Sequence, residues 1–250
     1  MNYWTRKDEL KQKAREHDQW MEQTFRDEIN FSAKNTTTYS QRDPLQNAER
    51  NPPEVVLMNT DSVSAIFSEE ATGKIGVLNF ASYKNPGGMF MNGSSAQEES
   101  LCHESSLYNV LKRHPEYYAW NNEHKNKALY LNRALASPDV VFTKGRYYKR
   151  CLVITCAAPN YGAAAKYQNV SKEENSQYLR DRILFVKDVA EHSGLDTIIL
   201  GAFGCGVFKQ DAQEVADIMS EVFGMTTIKK VIYAVPGNDA NYKAFKEKFS

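Results

Sequence analysis

The sequence predicts an α/β fold: a sheet covered on both faces by helices, with an N-terminal helical extension. Short β-branched or apolar runs of strand length recur through residues 54–235, and helix-period segments lie between several of them. That alternation implies parallel βα units whose strands are buried from both sides. Composition agrees, since charged residues at 25% and hydrophobic residues at 42% of 250 residues suit a globule with one sizeable core.

In chain order, residues 4–30 read as an amphipathic helix, because Trp4, Leu10, Ala14, Met21 and Phe25 recur at helical spacing among many charges. Residues 32–53 are polar and end in Asn51-Pro52-Pro53, so they read as loop or linker. Strands are expected at 54–59, 75–80, 128–135, 151–155, 197–200 and 230–235, and helices over 98–113, 173–193 and 211–223. No repeat and no low-complexity tract interrupts them. The expected organisation is an extension over residues 1–50 and one α/β domain over 51–250.

Several function classes are excluded. Lys plus Arg equals Asp plus Glu, 31 each, so no basic excess exists to hold nucleic acid by bulk electrostatics, although a local patch stays open. No apolar run approaches the ~20 residues of a spanning helix, and Met1-Asn2-Tyr3-Trp4 runs into charges and not into an apolar signal core. Cys102, Cys151, Cys156 and Cys205 show no CxxC pair, which fits a reduced, cytoplasmic setting. The five histidines are dispersed without metal-ligand spacing, so no metal and no cofactor is expected. His103 neighbours an acidic pair but reads as packing on, or solvating, the same helix. Gly-x-Ser-x-Gly is absent, which removes a Ser-His-Asp hydrolase of that type.

In open α/β sheets ligands bind beyond the carboxyl ends of the strands, so the loops there carry the information. The predicted strand 75–80 runs through Asn79-Phe80-Ala81 and Asn85-Pro86-Gly87-Gly88-Met89 to Ser95-Ala96-Gln97-Glu98-Glu99-Ser100. A glycine loop feeding a helix N-terminus allows close backbone approach and offers free N–H groups. The plain alternative is a helix start, with Ser95-x-x-Glu98 as a capping box and acids placed to suit the dipole. The predicted strand 197–200 likewise leads into Gly201-Ala202-Phe203-Gly204-Cys205-Gly206-Val207-Phe208. That loop matches neither the P-loop nor the GxGxxG fingerprint, though its form suits a phosphate cradle. Phe208 reads either as a ligand wall or as a core residue before the next helix.

Asn79-Phe80-Ala81, Asn85-Pro86-Gly87-Gly88 and Gln97-Glu98-Glu99-Ser100-Leu101-Cys102 together resemble the signature of bacterial-type poly(ADP-ribose) glycohydrolases. That family has three glycines, a spacer, then Gln-Glu-Glu. Here the third glycine is Met89, a departure that bears on the loop's backbone path or its closeness to a ligand. The resemblance implies a macrodomain-like three-layer sandwich with a mixed, mostly parallel sheet. It implies hydrolysis of ribose–ribose O-glycosidic bonds in poly(ADP-ribose), with ADP-ribose as product and ligand.

By the same resemblance Glu99 is the acid and base, Glu98 orients the ribose, and Gln97 supports the turn. Asn79, Asn85, Gly87 and Gly88 shape the substrate loop, and Gly204, Cys205, Gly206 and Val207 hold the diphosphate. Phe208 walls the distal ribose, Asp61 is a candidate adenine contact, and the segment Val235-Pro236-Gly237-Asn238-Asp239 borders the site. Ala157-Ala158-Pro159-Asn160 passes beneath it. Consecutive helical residues are rotated by about 100°, so Glu98 and Glu99 must hold different parts of the substrate. Protonation of Glu99 near neutral pH requires a raised pKa, which an apolar wall and the Glu98 charge favour and the helix dipole opposes. The alternatives are a non-catalytic ADP-ribose reader, a mono-ADP-ribosyl hydrolase acting on a modified macromolecule, and a nucleotide-binding interaction protein working through residues 1–50.

Overall fold

The computed structural model describes residues 3–70 and 73–250. Met1, Asn2 and the side chain of Trp4 lie outside the described residues. The chain begins with helices α1 (Tyr3–Thr24) and α2 (Arg26–Lys34), strands β1 (Thr37–Tyr39) and β2 (Glu54–Met58), helix α3 (Ser62–Ser68) and strand β3 (Ile75–Phe80). Helices α4 (Gln97–His103), α5 (Leu107–Leu111) and α6 (Pro115–Glu123) precede the hairpin of β4 (Ala134–Lys144) and β5 (Tyr147–Cys156). Then follow α7 (Tyr161–Gln168), α8 (Lys172–His192), β6 (Thr197–Leu200), α9 (Ala212–Phe223), β7 (Lys230–Ala234) and α10 (Ala240–Phe249).

The seven strands form one sheet in the order β1-β4-β5-β3-β6-β7-β2. Strand β3 runs parallel to β5 and β6, and β7 runs parallel to β6 and β2, where Glu54 stands opposite Lys230. Only β4 is antiparallel to its neighbours, β1 and β5. The sheet is thus mixed and mostly parallel. Side-chain alternation builds the outer layers. Leu78, Ile198, Val231 and Tyr233 face a core shared with α8, α9 and Phe245 of α10. Val77, Ile199, Ile232 and Ala234 face the opposite core with α3, α4 and Tyr117 of α6. This is the three-layer arrangement the sequence implied.

Some elements differ from expectation. The first helix breaks at Phe25, whose φ of −123° and ψ of 34° are not helical. The expected loop at 32–53 contains the end of α2 and the edge strand β1, whose Thr37 pairs with Ala136. The expected strand at 128–135 starts only at Ala134, because Asn126, Lys127, Ala128 and Tyr130 hold positive φ. The single helix expected over 98–113 is interrupted, and the Ser105 hydroxyl accepts the Leu107 N–H where α5 begins.

Helix α1 packs against the site-bearing helices through polar ties. Asp18 meets Lys112 at 2.6 Å, Glu22 meets Arg113 at 2.6 Å, and His17 meets the Ser105 carbonyl at 2.9 Å. Among the described residues no helix is long and apolar enough to cross a membrane.

Candidate active site

The start of α4 is set by Gln97. Its side-chain oxygen accepts the Phe80 N–H at 2.9 Å, and its amide donates to the Leu78 carbonyl at 2.9 Å and to Ser62 Oγ at 3.1 Å. The side chain thereby continues the hydrogen-bonding of β3 and locks the helix to the strand end. The helix cap is consequently Ala96, not Ser95, and it offers no side-chain oxygen. Only half of a capping box remains, with Glu99 Oε2 accepting the Ala96 N–H at 3.0 Å. The capping glutamate is therefore Glu99 and not Glu98.

Both carboxyls are buried and both are held by the glycine loop. Glu98 accepts from the Ser82 N–H at 2.6 Å and from the Asn79 amide at 3.2 Å. Glu99 Oε1 accepts the Met89 N–H at 2.8 Å. Burial pushes the Glu98 carboxyl up to about 8, against the Ser82 N–H and the Asn79 amide, and the Glu99 charge adds to the rise. Gly88 is required where they meet. A Cβ there would lie 2.6 Å from Glu99 Oε1 and 2.8 Å from Glu98 Oε2, and its φ of +59° is left-handed.

Met89 bears on the family departure. Its φ is −110°, open to any residue, so the backbone path depends on Gly87 and Gly88 and needs no third glycine. Its backbone N–H still serves Glu99. Its side chain, 46% exposed, lines the cavity beside the carboxyls.

That cavity has a volume of about 720 Å³ and lies at the carboxyl ends of β3, β6 and β7. Gln97, Glu98, Glu99 and Gly88 form one wall, and Gly204, Gly206, Val207 and Phe208 form another. The second loop folds back through the Gln210 N–H on the Gly204 carbonyl at 3.1 Å. Gly204 has φ +78°, and a Cβ there would come within 2.7 Å of Ala158. Among the described residues the N–H groups of Gly206, Val207 and Phe208 meet no protein acceptor. Val207 is 76% exposed. Successive free amides of this kind suit an anion. Phe208 is half-buried, with its ring edge-on to Tyr130 at 6.1 Å, so it serves the cavity and the packing at once.

The remaining sequence-predicted residues fall at different depths. Asp61 is on the cavity rim, but both its oxygens are engaged by Ser64, at 2.8 and 3.0 Å, as the cap of α3. Asp239 caps α10 on the same rim, and Gly237 N–H binds Asn59. Asn79 and Gly87 stand behind the glutamates. The Asn85 side chain is exposed, and its carbonyl accepts the Gly88 N–H at 3.1 Å. Burial raises the Cys205 thiol to about 12, which removes it as a nucleophile near neutral pH.

Sequence reasoning missed Ser62 and Ser82, which serve Gln97 and Glu98, because serine beside a strand end carries no distinctive signal. It also missed the Phe80–Phe203 pair, 5.6 Å apart, whose residues line the cavity. Their place at the ends of β3 and β6 was the available clue. Among the described residues no cluster of three or more metal-ligating side chains occurs.

This geometry can be set beside known proteins. The model of the microbial-type PARG catalytic domain, PARG standing for poly(ADP-ribose) glycohydrolase, matches residues 7–145, which hold the glycine loop and both glutamates. The chain belongs to this family. It is a glycosidase of the PARG type. Its fold is similar to PARG from Thermomonospora curvata bound to the inhibitor ADP-HPD, with a TM-score of 0.85 at 25% identity, covering 97% of this chain and 100% of that one. It is also similar to PARG from Deinococcus radiodurans in complex with ADP-ribose, with a TM-score of 0.80 at 28% identity, covering 88% and 96%. Among curated proteins none matches the chain. The PARG family match covers α1 from residue 7 onward and α2 as well as the loop, so the ties from Asp18 and Glu22 lie within the matched region.

Proposed function

We propose that the chain cleaves ribose–ribose O-glycosidic bonds of poly(ADP-ribose) and releases ADP-ribose, with Glu99 as acid and base and Glu98 holding the ribose. One observation carries this reading: two unlike loops face one cavity, the first presenting carboxyls and the second presenting free amides. The amides of Gly206 and Val207 take the diphosphate. Such anchoring, remote from the chemistry, positions the scissile bond at the glutamates.

The proton held on the Glu98–Glu99 pair passes through Glu99 to the leaving ribose oxygen as the glycosidic C–O bond breaks. The remaining carboxylate then takes a proton from the water that attacks the anomeric carbon. Glu98, held by the Ser82 and Asn79 donors, directs a carboxyl edge at the ribose hydroxyls. Its raised pKa keeps one proton on the pair near pH 7, the proton that Glu99 delivers, and lets two carboxyls share one buried site. Phe208 supports the ribose from the opposite wall.

The macrodomain-like arrangement, with residues 51–250 carrying the chemistry and residues 1–50 bracing it, belongs to the same proposal. So does a cytoplasmic setting, supported by four cysteines that are all free. Asn85, Cys205 and Asp61 keep secondary places as loop former, loop member and rim residue.

The test is release of ADP-ribose from purified poly(ADP-ribose), wild type beside Glu99→Gln, with ADP-ribose binding measured on both. Turnover falls by about 10²- to 10⁴-fold in the variant while binding survives. A wild type that binds ADP-ribose and releases none marks a reader or a hydrolase of another linkage, the reading that Met89 at the cavity would then explain. Absence of ADP-ribose binding rejects the site itself.

A further inference from the structure

The β4–β5 hairpin ends in Lys144-Gly145-Arg146-Tyr147-Tyr148-Lys149-Arg150, four cations without an acid in a chain of zero net charge. Its register is tight, with Lys144 opposite Tyr147 across the turn. Tyr147 is 77% and Tyr148 61% exposed, an unusual placement for two adjacent aromatic rings. Tyr148 continues a row of rings over the α1–α2 elbow, 6.2 Å from Phe25, which lies 5.8 Å from the exposed Trp20.

Not all the charge is free. Lys149 donates to the carbonyls of Ile66, Phe67 and Glu69, and Arg150 meets Glu28 at 3.2 Å. Arg146 has no hydrogen bond or ion pair among the described residues, and Lys144 reaches Ser64 Oγ at 3.4 Å and stands 6.0 Å over the Phe67 ring without an ion pair among them. Exposed rings beside uncommitted cations are the elements that hold unstacked bases on a phosphate chain.

We infer that this tip is a second anion-and-base site, which holds a segment of ADP-ribose polymer away from the end bound in the cavity. Strand β5 separates the two places, because its first residues carry the tip and its last, Cys156, reaches the cavity end of the sheet. Nine residue steps of strand, from Tyr147 to Cys156, amount to roughly 30 Å. Each unit of the polymer offers one adenine to a ring and one diphosphate to Arg146 or Lys144. The choice of this polymer over single-stranded nucleic acid rests on the function proposed above. A chain captured by its end is already concentrated at the tip, so a weak second contact suffices.

The experiment measures affinity for length-fractionated poly(ADP-ribose) and for monomeric ADP-ribose, using the wild-type tip, the triple variant Arg146→Ser/Tyr147→Ser/Tyr148→Ser, and Arg146→Glu alone, each also carrying Glu99→Gln so that the polymer is bound and not cut. Arg146 is exposed and makes no hydrogen bond or ion pair among the described residues, so its variant leaves the fold intact. Long polymer binds the triple variant at least about tenfold more weakly, as expected for loss of a stacked base. Binding of long polymer to Arg146→Glu is less steeply salt-dependent than with the wild-type tip. Monomer affinity is unchanged in both variants. Equal long-polymer affinity in all three proteins overturns the inference. Loss of binding to a single-stranded oligonucleotide with long-polymer affinity intact also overturns it and makes nucleic acid the occupant. Failure of the protein with the wild-type tip to bind the monomer speaks against the cavity assignment, and the comparison of variants on long polymer is read independently of it.

Discussion

The two glycine loops that face the cavity look alike in sequence and are opposite in use. After β3, the loop turns its amides inward: Ser82 and Met89 donate to Glu98 and Glu99, and the Gly88 N–H closes on Asn85. After β6, the N–H groups of Gly206, Val207 and Phe208 are left without a protein acceptor among the described residues. On the function proposed above, the first loop holds carboxyls that the chain itself supplies, and the second receives negative charge that a ligand brings. Glycine content alone does not distinguish a carboxylate holder from an anion receiver. What distinguishes them is whether an acidic side chain already occupies the amides.

Substitutions in the two loops should therefore fail in different ways. The largest effect is expected from Gly88→Ala. Its Cβ would enter both carboxyls from a left-handed position, so kcat should fall by at least about 10²-fold, the scale of losing a positioned acid–base group. Steady-state kinetics on poly(ADP-ribose) checks it, and a change confined to KM would contradict the division between the loops. Gly204→Ala should act mainly on binding. Its Cβ would press on Ala158, at a cost of about 1–2 kcal/mol for the left-handed backbone alone. ADP-ribose affinity measured by calorimetry should drop roughly tenfold or more, with the pH dependence of turnover unchanged.

A third test concerns the charge held in the first loop. Glu98 has its pKa raised to about 8 from 4.5, so between those values the folded protein binds more protons than the unfolded chain. Stability from this group is complete at low pH and is lost as pH rises through the window, by on the order of a few kcal/mol. Glu98→Gln should flatten the fall in Tm between pH 5 and 8 relative to wild type. The amide is tolerable because Asn79 Oδ1 has no partner among the described residues and can accept from it after a flip of the Asn79 amide. Parallel melting curves for the two proteins would remove Glu98 as the titrating group. The smallest effect belongs to Met89→Gly. The backbone N–H to Glu99 is retained, and the expected cost is about 0.5–1 kcal/mol of backbone entropy, read as a small drop in Tm without loss of turnover.

Legibility in the sequence followed burial. The central strands β3, β6 and β7 are continuous apolar runs, so their existence and nearly their bounds could be read. Strand β1 could not, since Thr37-Thr38-Tyr39 is a polar, partly exposed edge formed only by pairing with β4. Ala128 and Leu129 are apolar and read as the start of the strand expected at 128–135. The left-handed turn over residues 126–130 is made without glycine, and the Lys125 carbonyl accepts from both Ala128 and Tyr130. In the site, the glycines and glutamates were visible as a motif. The registration of α4 was not, because Gln97 sets it through bonds to Phe80 and Leu78, which are distant in the chain.

The pairing of β2 with β7 also orders the making of the molecule. Glu54 is synthesised 176 residues before its partner Lys230. Until then β2 has no strand to join, and the cavity has no Val235 or Pro236 on its rim. Such long-range parallel pairing is slow to form and leaves an open edge meanwhile. A nascent chain of this protein thus carries both glutamates well before it has a pocket, and chaperone demand should be greatest in that interval.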